Sequence, residues 1–119
     1  MKALLLLALF SLPLAYASNS ERLKNLGEVR SFAFGSCNKQ YFVQPLWSQL
    51  MKEAPDLFIF GGDNVYANAY DPEKIREAYD RQNSNTDYVL FKSMTPIIGT
   101  WDDHDYTKDN ANEIGRAHV

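Results

Sequence analysis

Three short apolar runs stand out along the chain: Val29–Gly35, Leu57–Phe60 and Pro96–Thr100. Each is rich in aromatic or β-branched residues and is bounded by loop-forming residues, the pattern of a buried strand. Between them the apolar positions change period. In Pro45–Ala54, Leu46 and Leu50 are four apart, as are Trp47 and Met51, which makes one helical stripe. Pro45 suits a first helical turn and Pro55 stops the helix. Asp71-Pro72 reads as a cap followed by a first-turn proline, opening a helix to about Gln82 with Ile75, Ala78, Tyr79 and Gln82 on one side. Asn83–Asn85 breaks it, and Thr86 caps a further short helix over Asp87–Ser93. The order β-α-β-α(α)-β, with helical crossovers between apolar strands, predicts parallel pairing and right-handed connections. Residues 18–28 read as a polar, flexible lead-in, and the chain after Asp105 is polar and without pattern.

The first residues follow a different logic. Lys2 precedes an apolar stretch, Ala3–Leu14, interrupted only by Ser11 and Pro13, and Ala15-Tyr16-Ala17 is a small-x-small pattern. Together they predict a secretory signal peptide over 1–17, cleaved after Ala17, and hence a secreted or periplasmic protein. The apolar stretch falls short of the roughly 20 residues that span a bilayer, so no stable membrane anchor is expected after cleavage.

Composition narrows the picture. A chain of 119 residues that is 45% hydrophobic has room for one small domain, expected over 29–119. Its net charge of −3 becomes more acidic when the leader, with Lys2, is removed. Such a domain lacks the basic face that nucleic-acid binding needs. Cys37 is the single cysteine, so no internal disulfide can form. In an exported chain it points to a ligand, a buried thiol or an intermolecular bridge.

The polar clusters that follow the strands carry the candidate chemistry. The first run leads into Ser36-Cys37-Asn38, the second into Gly61-Gly62-Asp63-Asn64-Val65-Tyr66, and the third into Trp101-Asp102-Asp103-His104-Asp105. The carboxyl ends of strands are where open α/β sheets build their sites. Carboxylates suit hard cations, a thiolate favours iron or zinc, and a phenolate suits ferric iron. Cys37, Asp63, Tyr66 and Asp103 are therefore candidate ligands of a mixed metal site, with His104 as a candidate acid or substrate contact. Plainer roles stand beside these: a buried thiol for Cys37, a turn for Asp63, a packing aromatic for Tyr66, a solvated loop for His104, a cap for Asp102 and a wall or core position for Trp101.

Those three clusters, in that order, resemble the PhoD-like alkaline phosphatases, a branch of the calcineurin-like and purple-acid-phosphatase-type metallophosphoesterases. The resemblance covers roughly Val29–Asn112, like the N-terminal half of the family's catalytic domain. It implies the N-terminal βαβαβ part of a four-layer αββα sandwich. It implies Cys37 as a thiolate ligand, Asp63 as a ligand bridging two ions, Tyr66 as a phenolate on iron, and Asp103 as a further ligand. His104 then looks like the residue that contacts substrate or protonates the leaving alkoxide. The cofactors implied are iron and calcium, with manganese, magnesium or zinc as alternatives. The reaction implied is hydrolysis of a small phosphomonoester or phosphodiester by a metal-activated hydroxide. Departures are visible too. The family completes its site with histidines from a C-terminal half, and His118 lies in a polar end segment that does not match them. Asn110 is a weak further candidate, and Ala67 stands where some members place a charged side chain. The chain is accordingly expected to be a fragment with little activity alone, with a non-catalytic metal- or phosphate-binding module or a truncated inactive product as alternatives.

Overall fold

A computed structural model describes residues 17–108. Residues 1–16 of the expected signal peptide, Asn110 and His118 lie outside them. The elements are α1 (Asn19–Lys24), β1 (Phe32–Gly35), α2 (Leu46–Glu53), β2 (Leu57–Gly61), α3 (Pro72–Asn83), α4 (Thr86–Met94), β3 (Ile97–Thr100) and α5 (Asp103–Tyr106). The three strands form one sheet in the order β1-β2-β3, parallel throughout. Ala33 is level with Phe58, and Phe58 in turn with Ile97, so these three share a face. The result is a small α/β domain in which α2 joins β1 to β2, and α3 with α4 joins β2 to β3.

One face of this sheet carries the core. Phe58 and Phe60, alternate residues of β2, meet Trp47 of α2 and Phe91 of α4, and all four are buried. Trp47 and Phe91 each lie edge-on or tilted to Phe58, with ring centroids 5.5 Å apart in both pairs. Ala33, Leu50, Met51, Tyr88 and Ile97 pack around them. The opposite face is bare among the described residues. Phe34 is 78% exposed and Phe32 60%, and Ile98 is exposed as well. The sequence pattern predicts buried strands, and among the described residues the helices cover only one face of them. The reason is topological: right-handed crossovers that step one way across the sheet, β1 to β2 to β3, put every connecting helix on the same side.

Four boundaries also differ from the sequence reading. The lead-in forms α1, because Ser18 and Glu21 make a reciprocal capping box. The Asn19 side chain then pairs with the backbone of Ile97, donating to its carbonyl and accepting from its N–H, both at 2.8 Å, so an amide occupies the free edge of β3. Arg22 reaches the Lys92 carbonyl of α4. β1 begins at Phe32 rather than Val29, since the N–H groups of Arg30 and Ser31 donate to Asp56 Oδ2 at 2.9 Å instead of joining the ladder. Asn85, not Thr86, caps α4, accepting from the Tyr88 N–H at 2.9 Å. The cluster that follows β3, where the sequence reading has no helix, coils into α5 behind the Asp102 cap. Asp71 caps α3 with Pro72 in the first turn, as predicted. No helix among the described residues is long and apolar enough to cross a membrane.

Candidate metal centre

The loops beyond β1, β2 and β3 meet at one end of the sheet, and the local chain geometry brings them close. Gly62 has φ of +99°, and a Cβ there would stand 2.9 Å from Cβ of Asp102, so only glycine lets the second and third loops touch. Cys37 and Asp63 both adopt left-handed backbone, at φ of 55° and 51°. Non-glycine residues hold that conformation at a cost, typically where a functional site imposes it. Backbone bonds from Cys37 N–H to the Gly62 carbonyl (3.2 Å) and from Asn38 N–H to the Asp63 carbonyl (2.8 Å) clip the two turns together.

This arrangement gathers all five candidate residues. Asp63, Asp103 and His104 each offer a ligand atom, and those atoms lie within 4.8 Å of one another. Around Asp63 Oδ2 stand Cys37 Sγ at 3.7 Å and the Tyr66 hydroxyl at 3.2 Å. The Tyr66 ring lies against His104, with centroids 4.3 Å apart. His104 therefore sits among the ligand atoms rather than out in a solvated loop. Cys37 is exposed, which removes the buried-thiol role. Trp101 is 71% exposed and so is not a core residue.

The electrostatics favour a cation. Asp63 Oδ1 is buried and has no hydrogen-bond partner among the described residues. An unsatisfied buried carboxylate oxygen is costly, and a metal ion would relieve it. The Tyr66 phenol is pushed well above its ordinary range, first by burial, then by its contact with Cys37 and by the Asp63 charge. A bound cation would reverse that trend. The donor set of carboxylate, imidazole, phenol and thiol is chemically suited to a metal ion. Lys39 adds a positive charge, with Nζ 5.4 Å from the Tyr66 ring centre. Beside Cys37 opens a cavity of about 310 Å³ lined by Phe42, Leu46, Trp47 and Phe60.

The sequence reading missed the residues that hold the second loop. Gln40 grips Tyr66 twice, accepting from its N–H at 2.9 Å and donating to its carbonyl at 3.0 Å. Asn38 donates to the carbonyl of Asn64 at 3.1 Å and to Gln82 of α3 at 2.9 Å. Asp105 is 2% exposed and accepts from the N–H groups of Asn64 (2.7 Å) and Val65 (3.1 Å). The signals in the sequence were that Asp105 directly follows His104 and stands three residues after Asp102, the capping-box spacing that opens α5. Comparison with known protein families, curated proteins and solved structures finds no match to this chain.

Proposed function

We propose that the chain carries part of the metal centre of a phosphoester hydrolase of the PhoD-like type. The observation that carries this reading is the convergence of Cys37, Asp63, Tyr66, Asp103 and His104 at the strand ends, around a buried Asp63 oxygen that has no donor among the described residues. Asp63 and Asp103 would hold the metal, with Tyr66 and Cys37 flanking Asp63. When bound, the ions would acidify water and offset the charge on the phosphoryl oxygens. The chain's own groups do the rest. Lys39 offsets the negative charge of an incoming phosphate, and the apolar cavity beside Cys37 has room for an organic alcohol group. His104 orients substrate or supplies a proton to the leaving oxygen. Iron and calcium are the proposed ions.

The same proposal extends to architecture and place. In a four-layer αββα sandwich the bare face formed by Phe32, Phe34 and Ile98 would be covered by a second sheet. The leader sequence supports an exported, secreted or periplasmic protein.

A second reading is favoured by the ligand count. Among the described residues Asp63, Asp103 and His104 form the single cluster of carboxylate, imidazole and thiol groups close enough to hold an ion. That suits one metal better than two, and so a metal-binding module without turnover. Titration of the purified chain with ferric citrate, Ca²⁺ and Mn²⁺, alongside p-nitrophenyl phosphate hydrolysis, tests the metal site and whether it turns over. Iron uptake with a visible phenolate-to-iron band that Tyr66→Phe abolishes is expected. Hydrolysis in the loaded state marks an enzyme whose site is complete in this chain, and uptake without hydrolysis fits a partial centre or the module. A chain that takes up none of these metals would sink both.

A further inference from the structure

The three residues of the tightest cluster come from two separate loops, so something must hold those loops in register. We infer that Asp105 is the positioning residue of this centre, an inference that rests on the metal-centre reading above. Its side chain is buried, yet among the described residues it takes part in no ion pair. Its charge is carried by donors instead. Oδ1 accepts from Asn64 N–H at 2.7 Å, Val65 N–H at 3.1 Å and the Tyr79 hydroxyl at 3.2 Å. Oδ2 accepts from Asp102 N–H at 2.9 Å. Charge-assisted bonds of this kind are short and directional, and a buried carboxylate is tolerated only when so satisfied.

The placement of those donors is what matters. Asn64 directly follows Asp63, Asp102 directly precedes Asp103, and Asp105 itself directly follows His104. One carboxylate thus grips the chain next to each member of the cluster, while Tyr79 anchors it to α3. The Ala67 N–H completes the tie by donating to the His104 carbonyl at 3.2 Å. Asp105 offers no oxygen to the ion. It orders the residues that do, as outer-shell partners of metal ligands generally do.

Asp105→Asn tests this, because it is nearly isosteric. The amide oxygen can still accept from Asn64 and Val65, but the amide N–H₂ faces the Asp102 N–H donor to donor. Mn²⁺ alone is the probe, with affinity and line shape read by electron paramagnetic resonance on the full chain. The folded variant is expected to bind Mn²⁺ about 10- to 100-fold more weakly than wild type, with an altered line shape at saturation. Asp56→Asn, which disturbs a similar carboxylate at the opposite end of the sheet, is expected to lower stability and leave Mn²⁺ affinity unchanged. Asp105→Asn binding within about twofold of wild type would overturn the inference. If that variant fails to unfold cooperatively, Tyr79→Phe decides, since it removes one donor to Oδ1 from α3 and none of the cluster's own residues. Weaker Mn²⁺ binding there supports the inference, and unchanged binding overturns it. A wild-type chain that binds no Mn²⁺ overturns the metal centre itself, which equal affinities would not.

Discussion

On one face of the sheet, Phe58 and Phe60 are sealed under Trp47 and Phe91; on the other, Phe32 and Phe34 project the same kind of ring into water. The strands that carry them are neighbours in one ladder, with Phe34 level with Ile59 and Gly35 level with Phe60. Residue type does not separate the two faces. Connectivity does, because both crossovers pass over the same side. Apolar side chains are worth about 25 cal/mol per Å² only where they leave water, so equal rings contribute unequally.

The largest expected effect breaks the sealed face. Phe91 is fully buried and touches the rings of Trp47 and Phe58, so Phe91→Ala should cost about 3–5 kcal/mol in urea unfolding. A loss below about 1 kcal/mol would show that this cluster is not the core. Gly99→Ala comes next. A Cβ at Gly99 would fall 2.6 Å from Phe60 Cβ and 2.9 Å from its carbonyl oxygen, so β3 must pull away from β2. A cost of about 1–3 kcal/mol is expected, and a neutral result would mean that β3 is not seated as described.

Phe34→Ala gives the counterpart on the bare face. At 78% exposure it should change stability by no more than about 0.5 kcal/mol. A loss rivalling that of Phe91→Ala would mean that the bare face is covered in solution, as a sandwich would have it. That outcome would erase the contrast between the faces and support the wider architectural proposal.

The smallest effect concerns the end of the sheet away from the candidate centre. Asp56 is held below the usual carboxylate range by the N–H groups of Arg30 and Ser31, and further by the Ser31 hydroxyl. A lowered folded pKa means that the unfolded chain binds the proton more readily. The contribution is therefore complete above the ordinary aspartate value and lost as pH falls through the folded one. Thermal midpoints of wild type and Asp56→Asn should converge as pH drops from about 5 towards 2. Curves that stay parallel over that range would show that Asp56 does not tie β1 to β2.

Asp56 and Asp105 show how much of this was legible beforehand. Both are carboxylates that accept backbone N–H groups from distant segments, Asp56 from Arg30 and Ser31 and Asp105 from Asn64 and Val65. The long-range bonds leave no local pattern, since their donors are backbone groups that every residue carries, whereas the Asp102–Asp105 bond is a local capping box of α5. By contrast, the caps at Asp71 and the turn at Gly62 were readable, because their cause lies within a few residues. The candidate residues Cys37, Asp63, Tyr66, Asp103 and His104 could be picked out one by one at strand ends. That Asp63, Asp103 and His104 bring donor atoms within 4.8 Å, while Cys37 and Tyr66 close on Asp63, could not.

The division follows the range of the forces involved. The sequence alone determined three strands, the helices between them and the polar clusters that end each strand, since periodicity, capping and turn chemistry act within a few residues. Tertiary structure alone decided which face of those strands is sealed and which side chains hold the loops together. Those outcomes depend on chain segments far apart in sequence: Asp105 lies 41 residues from Asn64, and Gln40 lies 26 from Tyr66. Contacts across such separations form only once the parallel sheet has brought its three ends together.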